Sequence, residues 1–152
     1  MFRSFVIVFL ISPISLSQVR VRTPNSSYKS YQQIDAQITN TGKNAVSYCV
    51  EFGQRSFKNG RGGAEDMETT PIPFYVQMHN SRSWGTLLIG PDIGSGRHAV
   101  VLKAGESQQY PFRLSDRGQM RLVLEYWRGE NDRVCEYTEH KKTTRSNVFV
   151  VN

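Results

Sequence analysis

The chain has 152 residues, with 19 Lys+Arg against 13 Asp+Glu, a formal net charge of +6, 38% hydrophobic residues and 21% charged residues. That balance excludes a disordered chain and a multi-span membrane protein, and the length suits one domain that buries roughly two-thirds of its unfolded surface. Two cysteines are too few for a metal-binding cysteine framework.

The first segment reads as a targeting signal. Arg3 precedes the apolar run Phe5-Val6-Ile7-Val8-Phe9-Leu10-Ile11, which is followed by Ser12-Pro13 and the small-residue triplet Ser15-Leu16-Ser17. A charge, a short apolar stretch and a small-x-small site in that order describe a secretory signal peptide. The run is too short to cross a bilayer, which needs about 20 residues. Residues 1–17 are therefore expected to be cleaved, leaving 18–152 as a single mature domain that begins at Gln18, lies outside the cytoplasm (periplasmic or extracellular) and has no transmembrane segment. Asn25-Ser26-Ser27 matches the N-glycosylation acceptor pattern, which matters only where the host glycosylates exported proteins.

From Gln18 onward, alternation of period two replaces helical periodicity. Val19 and Val21 alternate with Arg20 and Arg22, as on an edge strand with a basic outer face. The same pattern recurs at Ile34, Ala36 and Ile38; at Val46, Tyr48, Val50 and Phe52; at Phe74, Val76 and Met78; and at Met120, Leu122, Leu124 and Tyr126. Short apolar runs at 84–89, 99–102, 110–114 and 148–151 add further strands, and 74–79 with 84–89 is expected to form an extra hairpin. Turn signals separate them: Asn40-Thr41-Gly42, Pro71 and Pro73, Gly94-Ser95-Gly96, Ala104-Gly105, Asp116-Arg117-Gly118 and Gly129-Glu130-Asn131-Asp132. Residues 57–73, rich in glycine and charge and without alternation, read as a long loop. The expected fold is all-β: an antiparallel two-sheet sandwich of the immunoglobulin or fibronectin III kind, with eight or nine strands.

Two stretches carry a resemblance. Residues 34–46, a strand, the Asn40-Thr41-Gly42 turn and the next strand, together with Leu102-Lys103-Ala104-Gly105-Glu106-Ser107 and the strands after it, resemble bacterial immunoglobulin-like sandwiches such as cell-adhesion-related domains and the proteinase-inhibitor family of bacilli. The resemblance implies that the first turn joins strands B and C and that the Gly105-Glu106-Ser107 turn introduces strand E. The antibody pattern, with cysteines on strands B and F and a tryptophan on C, is absent here.

The chemistry is sparse. Gly-x-Ser-x-Gly, His-Glu-x-x-His and Cys-x-x-Cys do not occur. The Gly90–Arg97 stretch lacks the Gly-Lys-Ser/Thr ending of a phosphate loop and reads as a tight inter-strand loop. His79, His98 and His140 lack metal-site spacing, and Glu65, Asp66 and Glu68 read as a solvated acidic segment. No catalytic residue, cofactor or metal is expected, and no basic–aromatic pattern points to nucleic acid. Alternation turns Cys49 outward on strand C; Cys135 follows strand F, which neighbours C in such sandwiches, so Cys49 and Cys135 are expected to be disulfide-bonded. Trp127, out of phase with the core set, faces outward. Together with Arg128, Glu130 and Asn131 of the following turn, and with the 57–73 loop facing them, it forms the expected contact surface for a protein or cell-surface partner. The function expected is that of a secreted, non-enzymatic binding or scaffolding module. The alternatives are a secreted enzyme inhibitor acting through the 57–73 loop or the 129–132 turn as a wedge, and an enzyme using Cys49 with a nearby histidine.

Overall fold

The computed structural model describes residues 18–57, 66–87, 93–136 and 139–152; the expected signal peptide, 1–17, lies outside them. The elements are twelve strands: β1 (Val19–Arg22), β2 (Ser27–Tyr28), β3 (Gln33–Asn40), β4 (Val46–Phe57), β5 (Asp66–Ile72), β6 (Phe74–His79), β7 (Trp84–Leu87), β8 (Ile93–Leu102), β9 (Ser107–Arg113), β10 (Gly118–Arg128), β11 (Lys142–Arg145) and β12 (Phe149–Val151). No helix occurs among the described residues.

The strands make an immunoglobulin-like sandwich of two sheets. The smaller has the order β1-β3-β9, all antiparallel. The larger centres on β10 and β4, which pair only at Trp127↔Ser47 and Arg128↔Val46. β11 and β12 lie along one edge of β10, and β8 along the outer edge of β4. The chain changes sheets between β1 and β2. There Asn147 accepts a hydrogen bond from the Thr23 backbone N–H through Oδ1 at 3.0 Å and donates one from Nδ2 to Thr23 Oγ1 at 3.0 Å. β2 then pairs with β12 in parallel. Two expectations are thereby corrected. Twelve strands lie among the described residues rather than about eight or nine, because 27–28, 66–72 and 142–145, not read as strands from the sequence, also pair, and the sandwich is not wholly antiparallel, because β2 runs parallel to β12.

Away from their short contact, β4 and β10 splay apart. β5 pairs with β4, while β6 pairs with β10 and with β7, so the larger sheet forks. The chain steps from one branch to the other at Pro73, which is buried. Proline has no N–H to give a ladder, which suits it to a position between two ladders. The β6–β7 hairpin is the one expected at 74–79 and 84–89. Of the long loop expected at 57–73, Phe57 and residues 66–72 are strand and 58–65 lie outside the described residues: residues 66–72 pair with 51–57, and Pro71 sits opposite Phe52 on an edge strand, a place where a residue without a donor is tolerated. Gly94 and Gly96, expected in a turn and in the 90–97 loop, lie inside β8 beside a register shift between Glu51 and Gly53. Glycine there marks a bulge rather than a chain reversal.

The core lies between the sheets and follows the alternation read from the sequence. Val19, Val21, Ile34, Ala36, Ile38, Val46, Tyr48, Val50, Val76, Met120, Leu122, Leu124 and Phe149 are all within 2% of complete burial. Each large aliphatic side chain removed from water in this way contributes about 1.5–3 kcal/mol. Phe52, expected in the core, is half-buried and stacks on His98 at 4.8 Å. A polar contact between the two sheets joins Tyr48 Oη of β4 to Tyr110 Oη of β9 at 2.9 Å. Each hydroxyl supplies the other's partner, so neither is buried unsatisfied.

Candidate functional site

Strand directions bring residues 41–45, 103–106, 129–136 and 139–141 to one end of the sandwich, and residues 29–32 and 114–117 to the other. The first end holds Trp127, Arg128, Glu130 and Asn131, four of the residues the sequence put forward for binding. Cys49 points away from the core, as its neighbours' alternation requires, and is bonded to Cys135 with the two Cα atoms 5.0 Å apart. The disulfide ties the segment after β10 back onto β4 and leaves Cys49 without the free thiol that an enzymatic reading would use.

The turn after β10 is pinned from below. Ser47, fully buried, donates from Oγ to the Gly129 carbonyl at 2.7 Å and accepts from the Asn131 N–H at 2.9 Å. Gly129 has φ +87°, a left-handed conformation that favours glycine. Asn131 Oδ1 in turn accepts from the Arg133 N–H at 2.9 Å. Arg128 and Glu130 are exposed on this fixed frame, and Asn131 is half-buried within it. Trp127 faces outward as expected but is half-covered by its own chain, its indole N–H donating to the Glu139 carbonyl at 2.8 Å. Tyr137, the other cover expected from sequence, lies outside the described residues.

A second buried side chain organises the neighbouring turns. Asn40, at 0% exposure, donates from Nδ2 to the Asn44 carbonyl at 2.8 Å and the Leu102 carbonyl at 2.9 Å, and accepts from the Gly42 N–H at 3.0 Å. Its backbone exchanges bonds with Glu106 and Gly105. The Thr41 N–H donates to the Gln18 carbonyl and the Gly129 N–H to the Ala45 carbonyl, each at 2.8 Å. These bonds stitch β1, the 41–45 turn and the end of β10 together. The Gln18 side chain lies over Gly42, where a Cβ would collide with its Cγ, and its amide donates to the Asn44 carbonyl at 2.8 Å.

Within that stitching is a cleft of about 360 Å³ lined by Gln18, Arg20, Thr41, Gly42, Lys43, Asn44 and Arg128. Three cations and no carboxylate line it. Arg20, Lys43 and Arg128 are each exposed. The ion pairs among the described residues, Arg97–Glu51 at 2.7 Å and Lys141–Glu125 at 2.8 Å, lie elsewhere.

The structure thus groups Trp127, Arg128, Glu130 and Asn131, and of the 57–73 segment expected to face them it describes Phe57 and residues 66–73. Ser47 pairs with Trp127, whereas Phe57 stands ten residues further along β4, a separation of about 33 Å along an extended strand. At its other end the segment runs back along β4 to Ile72, opposite Glu51 and four residues from Ser47, and residues 58–65 lie outside the described residues. Sequence reasoning missed Asn40, Ser47, Arg20 and Lys43. The Asn40-Thr41-Gly42 turn signal was the available clue, since an asparagine that opens a turn often bonds the backbone beyond it. A separate polar cluster lies on the outer face of β10, β6 and β7. Arg121 sits 4.1 Å above the Trp84 ring centre and donates to Gln77 at 2.9 Å, and His79 lies 5.0 Å from the same ring.

No protein-family model matches the chain, and no curated protein is similar to it. Solved structures are similar at the level of overall fold. The ASH/PapD-like domain 7 of human CEP192 is 12% identical, with 99% of this chain and 96% of that one covered and a TM-score of 0.40. AvmM, which catalyses macrocyclization in alchivemycin A biosynthesis, is 10% identical over 88% of this chain and 87% of its own, with a TM-score of 0.37. Spo0M, a sporulation control protein of Bacillus subtilis, is 9% identical over 90% of this chain and 50% of its own, with a TM-score of 0.34.

Proposed function

We propose that this protein is an exported, non-enzymatic binding module, and that the end of the sandwich bearing the 41–45 and 129–132 turns is its contact surface for a protein or cell-surface partner. One observation carries the reading. At this end two buried polar side chains, Asn40 and Ser47, are committed to holding turn backbones, while the side chains those turns present outward are exposed. Rigid turns lower the ordering cost of association, because their conformations are fixed before the partner arrives. Tryptophan and arginine, here Trp127 and Arg128, are the residue types that most often dominate contact energies. An inhibitor reading would use the 129–132 turn as its wedge, on this same surface.

A photo-crosslinking residue placed at Glu130, with a second variant carrying it at Asp116 on the opposite end, tests the proposal on cells of the source organism. Discrete adducts from position 130 and none from 116 are expected. Adducts from 116 alone, or equal adducts from both, would remove the assignment. In the Glu130 background, Trp127→Ala is expected to cut adduct yield severalfold while lowering the melting temperature by no more than a few degrees.

A further inference from the structure

The cleft beside that surface has a chemistry of its own. Arg20 projects from the outer face of the edge strand β1, Lys43 from the turn organised by Asn40, and Arg128 from the last position of β10. They belong to three segments far apart in sequence. The Thr41–Gln18 and Gly129–Ala45 backbone bonds hold those segments together. Like charges gathered in this way repel one another, and a carboxylate among them would relieve the cost. The lining has none, although the protein elsewhere answers Arg97 with Glu51 and Lys141 with Glu125. The remaining walls are neutral hydrogen-bonding groups: the amides of Gln18 and Asn44, the Thr41 hydroxyl and the Gly42 backbone.

We infer that this cleft binds a tetrahedral oxyanion, the phosphate or sulfate ester group of a partner. Two guanidinium forks and an ammonium supply the charge-assisted donors that such oxygens accept, and the guanidinium fork matches the spacing of two oxygens of one group. The volume, about 360 Å³, sits at the small end of ligand sites and admits one such group with part of what carries it. The Gly42 position contributes by omission. A side chain there would collide with Gln18, itself part of the lining. The inference deepens the contact-surface reading by naming the group recognised, and it rests on that reading only for the claim that a partner carries the group.

Titration of the whole domain with inorganic phosphate, inorganic sulfate and chloride at matched ionic strength, followed by amide NMR, tests it. Saturable shifts at Gly42, Lys43, Asn44 and Gly129 are expected with phosphate or sulfate and not with chloride. The tighter of the two identifies the source of the group. Arg128→Gln and Lys43→Gln are each expected to weaken binding roughly tenfold. Arg128→Lys should fall between wild type and Arg128→Gln if the fork matters. Arg117→Gln, at the other end, should leave the affinity unchanged. A retained Cys49–Cys135 bond and an unchanged melting temperature verify that each variant is folded. Shifts that rise linearly with all three salts, or an equal effect of Arg117→Gln, would overturn the inference. Crosslinks at Glu130 with no saturable anion binding would remove this inference and leave the contact surface standing. Saturable anion binding with adducts only from 116 would do the reverse.

Discussion

The two ends of the sandwich are built differently. At one, the turns are held by buried side chains, Asn40 and Ser47, and by the Cys49–Cys135 bond. At the other, the 29–32 and 114–117 turns are held mainly by backbone bonds, Tyr31 to Leu114 at 2.8 Å and Ser30 to Asn152 at 2.9 Å, with Ser30 Oγ reaching Ser115 at 2.9 Å. There Tyr31 takes a left-handed conformation, φ 63°, while 56% exposed. A large side chain in that region costs energy, and Tyr31 recovers little of it by burial. The contrast separates two ways of making a turn. Backbone bonds close a turn cheaply, whereas a buried polar side chain commits several backbone groups at once and so fixes what the turn presents.

The most severe way to break the contrast is to reduce the disulfide. A bond closing a sequence separation of 86 residues restrains the unfolded chain by about 4–5 kcal/mol in the chain-entropy account. Cys49→Ser with Cys135→Ser should therefore lower the melting temperature by roughly 10–20 °C. A drop of only a degree or two would mean that Ser47 alone holds the 129–131 turn.

Asn40→Ala comes next. It strands the buried Leu102 carbonyl and releases the Gly42 N–H, for about 2–3 kcal/mol. Amide exchange at residues 41–45 should quicken well beyond what the global stability loss explains, and exchange at 29–32 should follow the global loss alone. Uniform acceleration would show that the two ends are not held independently.

Alkali provides a perturbation indifferent to the ends. Burial first, then the shared hydrogen bond and the nearness of Tyr110, push the Tyr48 hydroxyl far above the usual tyrosine value of 10.0; burial also raises Tyr110. Above pH 10 the unfolded chain releases these protons and the folded one keeps them. Stability is thus intact below pH 10 and falls above it by about 1.4 kcal/mol per pH unit for Tyr48, with Tyr110 acting in the same direction. Tyr48→Phe with Tyr110→Phe should flatten that fall, as read by denaturant melts between pH 9 and 11. The smallest effect is expected from Tyr31→Gly, which relieves the left-handed strain and should change stability by no more than about 1 kcal/mol in the stabilising direction. A loss of 2 kcal/mol would show that the tyrosine ring anchors its end after all.

The sandwich was legible in the sequence because its core strands alternate cleanly. Ile34-Ala36-Ile38 and Met120-Leu122-Leu124 each bury one face, and a one-residue slip would expose it. Cys49 and Cys135 were legible for the same reason, since alternation turned Cys49 outward toward the strand that Cys135 follows. The fork was not. Residues 66–72 form an edge strand around Pro71, without the apolar period that marks a half-buried strand, and glycines inside β8 look like turn residues. The cleft was not legible either, because Arg20, Lys43 and Arg128 meet only through the cross-sheet stitching, which no local pattern encodes. Ser47 looked like an ordinary outward polar residue until β10 was placed over it.

The Cys49–Cys135 bond also bears on mechanics. Val19 stands at one end of the sandwich and Val151 at the other, so a pull on the two chain ends runs along the strands. Such a load strains the β1–β3 and β2–β12 ladders in shear, where the hydrogen bonds of each ladder share the force. Once they yield, the 86-residue span between the cysteines stays out of the stretching chain. That withholds about 300 Å of contour length at roughly 3.5 Å per residue. Under tension an oxidised molecule gives way by a short step and then holds, with the segment after β10 still bonded to β4; a reduced one pays out its full length.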